Sequence, residues 1–315
     1  GIRSDSDMYT LGYSFKPWTS PKAIADGPSI REYIRSTARD NGIDKHIRYG
    51  HKIIKSTWSS EDAVWIVDAE RTDTGKAVKF TCNFLFMCTG YYKYEAGFTP
   101  HFEGRERFKG QIIHPQLWPE NLDYAGKKVV IIGSGATAVT LVPAMTDKAA
   151  HVTMLQRSPT YVVSIPEKDP IANSMRRFLP EKLVYRVTRA KNVSLTLGFF
   201  NLAKKRPKPI RRLLLAQVRA QVGKDFDMKH FTPSYNPWDE RLCAVPDGDL
   251  FKVLRKGKAS VVTDHIDTFT ETGIKLKSGQ ELEADIIITA TGLDLQLLGG
   301  MKVLDRKSTR LNSSH

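Results

Sequence analysis

The sequence predicts an α/β fold built on parallel sheet, and three stretches predict it. Val129–Thr140 reads VVIIGSGATAVT: apolar, mostly β-branched residues run into a glycine pair and then into small residues that suit a helix. Phe84–Cys88 and Asp285–Thr289 are apolar runs that end at glycine, in CTG at Cys88–Gly90 and ATG at Ala290–Gly292. Such a run closed by glycine is the pattern of a strand buried on both faces, as parallel strands are. Strand patterns alternating with helical ones complete the α/β reading.

In chain order, residues 1–26 are rich in turns and carry the aromatics Tyr9, Tyr13, Phe15 and Trp18. Ser29 to Asn41 reads as a helix, with Ser29 as N-cap, Glu32 three residues on and Gly42 past the end. His51–Trp58, Ala63–Glu70 and Lys76–Cys82 read as strands, the last two joined by a turn at Thr72–Gly75. Phe84–Cys88 reads as a buried parallel strand, followed by a loop to Trp118–Pro119. Residues 127–156 form a β-turn-α-β unit. Residues 171–222 read as basic helices broken by Pro180, Pro207 and Pro209. Ser260–Thr263, Gly273–Leu276 and Asp285–Thr289 complete the strands. There are no internal repeats.

At 315 residues and 41% hydrophobic, the chain can bury a core as two domains or one elaborated one. The start has no signal-peptide pattern. The longest nearly apolar run, around Val193–Ala203, falls short of the ~20 residues that span a bilayer. Cys82, Cys88 and Cys243 show no CxxC spacing, which argues for a reduced, cytoplasmic setting and against a metal or dithiol site. The net charge of +14 is concentrated in 176–224, where fourteen Lys/Arg face the single acid Glu181. No zinc-finger or RRM pattern accompanies it, so nucleic acid is not expected as a partner. The segment instead suggests helices packed on their neighbours, an apolar substrate path or peripheral contact with an anionic membrane. Asp305–His315 (DRKSTRLNSSH) reads as a translated sequencing adapter, and the chain as a fragment open at both ends.

Gly133, Gly135 and Ala138 match G-x-G-x-x-G/A, after a strand, opening a helix, with a second strand HVTMLQ following. The first glycine makes the tight turn, the second admits a pyrophosphate close to the backbone, and Ala138 allows close packing of helix on strand. The residues expected around the anion are Gly133, Ser134, Gly135, Ala136, Thr137, Ala138, Val139 and Thr140. Pro143 should bend the helix. NAD sites carry an acid about 20 residues on. Here Arg157 and Ser158 end the second strand, with Arg157 24 residues after Gly133. An arginine suits a 2′-phosphate, so NADPH is expected rather than NADH.

Phe108–Pro119 reads FKGQIIHPQLWP, with Phe108, Gly110, His114, Trp118 and Pro119 in the pattern F-x-G-x-x-x-H-x-x-x-W-P. This resembles the fingerprint of Baeyer–Villiger flavin monooxygenases. GIRSDSDMYTLGY, VTMLQRSPTY, HFTPSYNPWDERLC and ADIIITATGL look like the ethionamide monooxygenase-like branch of that family, and the resemblance covers residues 1–300. It implies two nested Rossmann-like domains: 1–113 as the remainder of an FAD domain, 119–284 as an NADPH domain with the helical insertion 171–224, and 285–304 as a return to the FAD domain. It also implies FAD and NADPH as cofactors and O₂ as co-substrate. Oxygen would pass through a C4a-peroxyflavin into ketones, with oxidation of thioamides or sulfides as a related reaction. The FAD-binding GxGxxG is missing, so the chain as written is expected to bind FAD poorly.

The same resemblance assigns residues. Arg241 matches the arginine placed over the flavin, where a fixed cation would stabilise developing negative charge. Asp5 matches the acid that orients that arginine. Arg3 and Ser4 flank Asp5 as cofactor contacts, and Ile53 matches a position that touches the FAD adenine through its backbone. Glu240 stands where much of the family has a lysine for the 2′-phosphate, which leaves that role to Arg157 and Ser158. His114 is expected to act in domain conformation. Three other classes are open. A heteroatom-only flavin monooxygenase would lack Trp118–Pro119. A disulfide reductase would need a cysteine pair. A non-catalytic NADP-binding module would keep only the glycine turn.

Overall fold

Val129–Ile132 and Ile286–Thr289 are buried at every position because they lie side by side within one sheet. The computed structural model describes residues 3–305. The five-stranded sheet runs in the order Ala259–Thr263, His151–Gln156, Lys128–Ile132, Ile286–Thr289, Gln111–Ile113, and every neighbouring pair is parallel. Alternate side chains leave it on opposite faces. Val129, Ile131, Ile286 and Ile288 meet the helices Ala136–Met145 and Asp249–Arg255 through Val139, Val142, Leu250 and Phe251. Val130, Ile132 and Ile287 pack with Phe108 and with a three-stranded antiparallel sheet, Ile266–Thr270, Gly273–Leu276 and Glu281–Glu283.

Between His151–Gln156 and Ala259–Thr263 of this sheet come a parallel pair, Tyr161–Ile165 with Leu242–Pro246, and the helices Pro170–Met175, Glu181–Lys205 and Pro207–Val222. Pro180 precedes the long helix and Pro207 opens the next, each where a missing N–H costs nothing. The long helix holds the N-terminal segment. Tyr9 and Ala23 pack with Val184 and Tyr185, and the Arg189 guanidinium donates to the carbonyls of Tyr9 and Thr10 at 2.9 and 2.6 Å. Arg176 likewise donates to the carbonyls of Trp18 and Ser20. Part of the basic run is therefore engaged inside the fold. Among the described residues no helix is long and apolar enough to cross a membrane.

The chain divides into two compact units. One takes the described residues up to Thr37 together with Thr99–Thr291. The other takes Ala38–Phe98 and the described residues from Gly292 on. The second unit contains an antiparallel meander, His51–Ser59, Val64–Arg71 and Ala77–Cys82, with Lys302–Leu304 added in parallel at its edge. A bulge lies between Ile53 and Lys55, and Trp58 pairs with Trp65 across the hairpin.

Several expectations are corrected. The first long helix spans Gly27–Asp40, because Asp26 rather than Ser29 caps it: its Oδ1 accepts the Ser29 N–H at 2.9 Å. Pro28 then lies in the first turn, where its fixed φ suits a helix. Gly42 does end it, at φ +65°. Phe84–Cys88 is neither a strand nor buried; it pairs with nothing among the described residues, and Phe84 and Phe86 are each 77% exposed. The boundaries at 113/119 and 284/285 fail because Gln111–Ile113 and Ile286–Thr289 share the sheet of the glycine turn. Backbone pairing outweighs sequence adjacency there. Of the adapter-like tail, everything after Asp305 lies outside the described residues.

Candidate functional site

The C-terminal ends of the parallel strands form one edge, and the glycine turn lies on it. In open α/β sheets this edge is where ligands bind. Gly133 has φ +137°, and a Cβ there would collide with the Ala290 carbonyl at the end of the neighbouring strand. The ATG corner and the turn therefore require each other. The Gly133 N–H donates to the Leu155 carbonyl at 2.8 Å, which ties the turn to the second strand. Gly135 caps Ala136–Met145, and Ala136 and Thr137 are exposed at the helix start. The free N–H groups of a first turn and the positive end of the helix dipole suit an anion. Val139 and Thr140 fall outside that set. The Val139 N–H already bonds to the Gly135 carbonyl at 3.1 Å and its side chain is in the core, while Thr140 lies beyond the first turn. Ala138 is fully buried against the sheet, as close helix–strand packing requires.

Ser134 is buried, and its hydroxyl faces the protein. It bonds the Ser158 carbonyl at 3.3 Å and the Thr160 hydroxyl at 3.0 Å, which holds the loop with Arg157 and Ser158 against the turn. Arg157 and Ser158 are themselves exposed. The preceding side chain, Gln156, turns inward and donates to the His230 carbonyl at 2.7 Å and the Thr263 hydroxyl at 2.8 Å. The second strand therefore ends without an acid, and the exposed cation there is Arg157.

Arg241 directly precedes the strand Leu242–Pro246, and its Nη1 lies 3.6 Å from where a Gly135 Cβ would stand. The guanidinium thus lies at the opening of the helix, at van der Waals distance from a Cβ at 135. Asp5 and Arg241 are both exposed, and no hydrogen bond or ion pair joins them. The expected orienting pair is absent, because the arginine turns toward the glycine turn. Both charges still reach Cys243: burial pushes its thiol up, Arg241 opposes that shift and Asp5 adds to it. Arg3 pairs with Asp249, and Ser4 exchanges hydrogen bonds with Ala25, through its N–H at 2.9 Å and its Oγ at 3.0 Å. These contacts anchor the segment before Asp5. Glu240 is exposed. Ile53 is half-buried in the meander of the other unit.

The fingerprint residues divide by role. Phe108 is core, edge-on to Phe269. A Cβ at Gly110 would collide with the Asp285 carbonyl and the Phe108 ring, so glycine is required there. His114 Nδ1 accepts the Gln116 N–H at 3.2 Å and caps the turn Pro115–Leu117. Trp118 and Pro119 are exposed. Sequence reasoning missed Thr160 and Tyr235, which join this site through hydroxyls. Their partners lie 26 and 6 residues away, and no local spacing marks them.

Three comparisons bear on the chain. A model of the family "Flavin-binding monooxygenase-like" matches residues 20–298. The putative FAD-containing monooxygenase MymA of Mycobacterium tuberculosis is 56% identical over 308 residues, 96% of this chain and 62% of that protein. The FAD-containing monooxygenase EthA of Mycolicibacterium smegmatis is 56% identical over 302 residues, 95% of this chain and 61% of that one. The chain thus spans about three-fifths of the length of these relatives. Among solved structures, steroid monooxygenase bound to NADP superposes with a TM-score of 0.75 at 23% identity, over 98% of this chain and 66% of that one. An ε-caprolactone-bound cyclohexanone monooxygenase gives 0.76 at 19% identity, over 98% and 67%. At such identities these two establish the fold.

Proposed function

The chain belongs to the flavin-binding monooxygenase-like family, and from that premise we propose that it binds NADPH at the glycine turn and serves an FAD-dependent monooxygenase. The observation that carries this reading is the convergence of an open helix N-terminus, Arg157 and Arg241 on one sheet edge. Ala136, Thr137 and Ala138 would bind the diphosphate through their N–H groups. Arg157 would take the 2′-phosphate, with Ser158 beside it; a guanidinium fits a phosphate bidentately. Arg241 would place a cation on the reacting side of the nucleotide, where it stabilises developing negative charge.

The residues fit NADPH. For FAD the sequence holds no second G-x-G-x-x-G/A turn, so these residues offer its diphosphate no equivalent cradle. Bound FAD would supply the hydride acceptor and the site of oxygen activation. Insertion of oxygen into ketones is the reaction we assign, with thioamides or sulfides as the related substrate class. The 56% identity to EthA and MymA, both named FAD-containing monooxygenases, supports the monooxygenase class. A heteroatom-only enzyme is the second reading. Trp118–Pro119 favours the first, through the family fingerprint.

The test is nucleotide titration. NADP⁺ should bind more tightly than NAD⁺, and Arg157→Ala should weaken NADP⁺ about tenfold while leaving NAD⁺ unchanged. Equal affinity for the two nucleotides in the parent chain would sink the reading. The lipid-surface contact expected of 176–224 is supported by Leu195 and Leu197, 65% and 55% exposed on the helix that ends at exposed Lys205, with exposed Arg206 and Lys208 following. Sedimentation with anionic but not neutral vesicles is the expected outcome.

A further inference from the structure

The Arg241 guanidinium has no hydrogen-bond partner among the described residues, yet its main chain is held firmly. The Tyr235 hydroxyl donates to the Arg241 carbonyl at 3.0 Å. The Tyr235 carbonyl accepts from the Tyr161 hydroxyl at 2.8 Å, and the two rings meet edge to face with centroids 5.4 Å apart. Tyr161 is fully buried and opens the strand that pairs with Leu242–Pro246, opposite Leu242 itself.

Between Tyr235 and Arg241 the loop passes through Trp238 at φ +64°, a left-handed conformation rare for a bulky residue. Its surroundings over-determine it. Trp238 stands edge-on to Phe199 and Phe200 of the long helix, at 5.1 and 5.9 Å, and the next residue, Asp239, pairs with Lys204 at 2.7 Å.

Hydroxyls also lie between this loop and the glycine turn. Ser134 meets Thr160 at 3.0 Å, and burial pushes the Tyr235 hydroxyl up in pKa while the Thr160 hydroxyl draws it partly back. Ser134 donates to the Ser158 carbonyl, so Thr160 gives its proton to Ser134, and Tyr235 gives its own to the Arg241 carbonyl. The tyrosine thus ties the main chain of the residue whose cation faces the turn.

We propose that Tyr235 is a positioning residue that sets Arg241 beside the glycine turn, so that the arginine meets a bound nucleotide already oriented. The assignment rests on the NADPH reading of that turn. Holding the main chain of a long, flexible side chain lowers the ordering cost of the contact it makes. Tyr235→Phe removes only the hydroxyl and leaves the ring against Tyr161.

The experiment is calorimetric titration of NADP⁺ into the parent chain, Tyr235→Phe, Arg241→Ala and the double variant. Tyr235→Phe alone should weaken binding about three- to tenfold, and should add less than about twofold once Arg241 is alanine. Equal losses in both backgrounds would show a merely structural tyrosine and overturn the assignment. Tyr161→Phe, which frees the Tyr235 carbonyl and leaves the turn alone, repeats the cycle one link away and decides the question if Tyr235→Phe does not fold. A parent chain that binds no NADP⁺ overturns the nucleotide reading and the assignment with it. Binding without coupling to Arg241 overturns the assignment alone.

Discussion

Ile286–Thr289 and Phe84–Cys88 carry the same pattern, an apolar run that ends in a Thr-Gly corner, and they meet opposite fates. The first lies between two parallel strands and is buried at all four positions. The second has no strand partner among the described residues and leaves Phe84 and Phe86 each 77% exposed. Composition contributes: three isoleucines suit a pleated, two-sided strand better than Phe, Leu and Met. Neighbours contribute more. A strand exists only when its N–H and C=O groups find partners on adjacent strands and both its faces find cover.

The largest expected contrast is in amide hydrogen exchange. The amides of Ile286–Thr289 should open only with the whole unit, at a cost of about 5 kcal/mol or more, whereas those of Phe84–Cys88 should exchange nearly as in an unfolded chain. Matching protection in the two segments would break the comparison, since it would require a covered run at 84–88. Side-chain truncation sharpens it energetically. Ile288→Ala should cost about 3 kcal/mol in urea unfolding, because it empties a fully buried position. Phe86→Ala should change stability by less than about 0.5 kcal/mol.

The smallest effect concerns thiols. Cys88, in the exposed run, should react with iodoacetamide in the native protein. Cys243 is buried and burial raises its thiol pKa, so its reactive thiolate is scarcer than usual at neutral pH. Labelling of Cys243 should need unfolding or a pH above the ordinary thiol range. Labelling at pH 7 as fast as that of Cys88 would contradict the buried position.

Much of the candidate site was legible locally. Gly133, Gly135 and Ala138 are read from spacing within one β-turn-α-β unit, and Arg157 from its place at the end of the next strand. These features depend on a few consecutive residues and on backbone geometry that side chains further away do not alter. The expected set around the anion was too wide at Val139 and Thr140, because helical hydrogen bonding begins there. The Asp5–Arg241 pair rested on resemblance alone, and the guanidinium instead faces Gly135. Ser134 looked like a ligand contact from its place in the turn, yet its hydroxyl bonds inward to Ser158 and Thr160.

By itself, then, the sequence determined the α/β class, the position of the glycine turn, the arginine rather than an acid at the end of the second strand and the helical nature of the basic segment. Each follows from periodicity, glycine or proline, which act over one or two turns of chain. Only the tertiary structure decided which apolar run became a strand, where the two units divide, and how Tyr235 reaches Arg241. Those outcomes depend on contacts between residues far apart in the chain, such as Ile287 with Val130 or Asp239 with Lys204. Such contacts form only when the ordering cost of the intervening chain is offset by burial and pairing, and no local pattern records that balance.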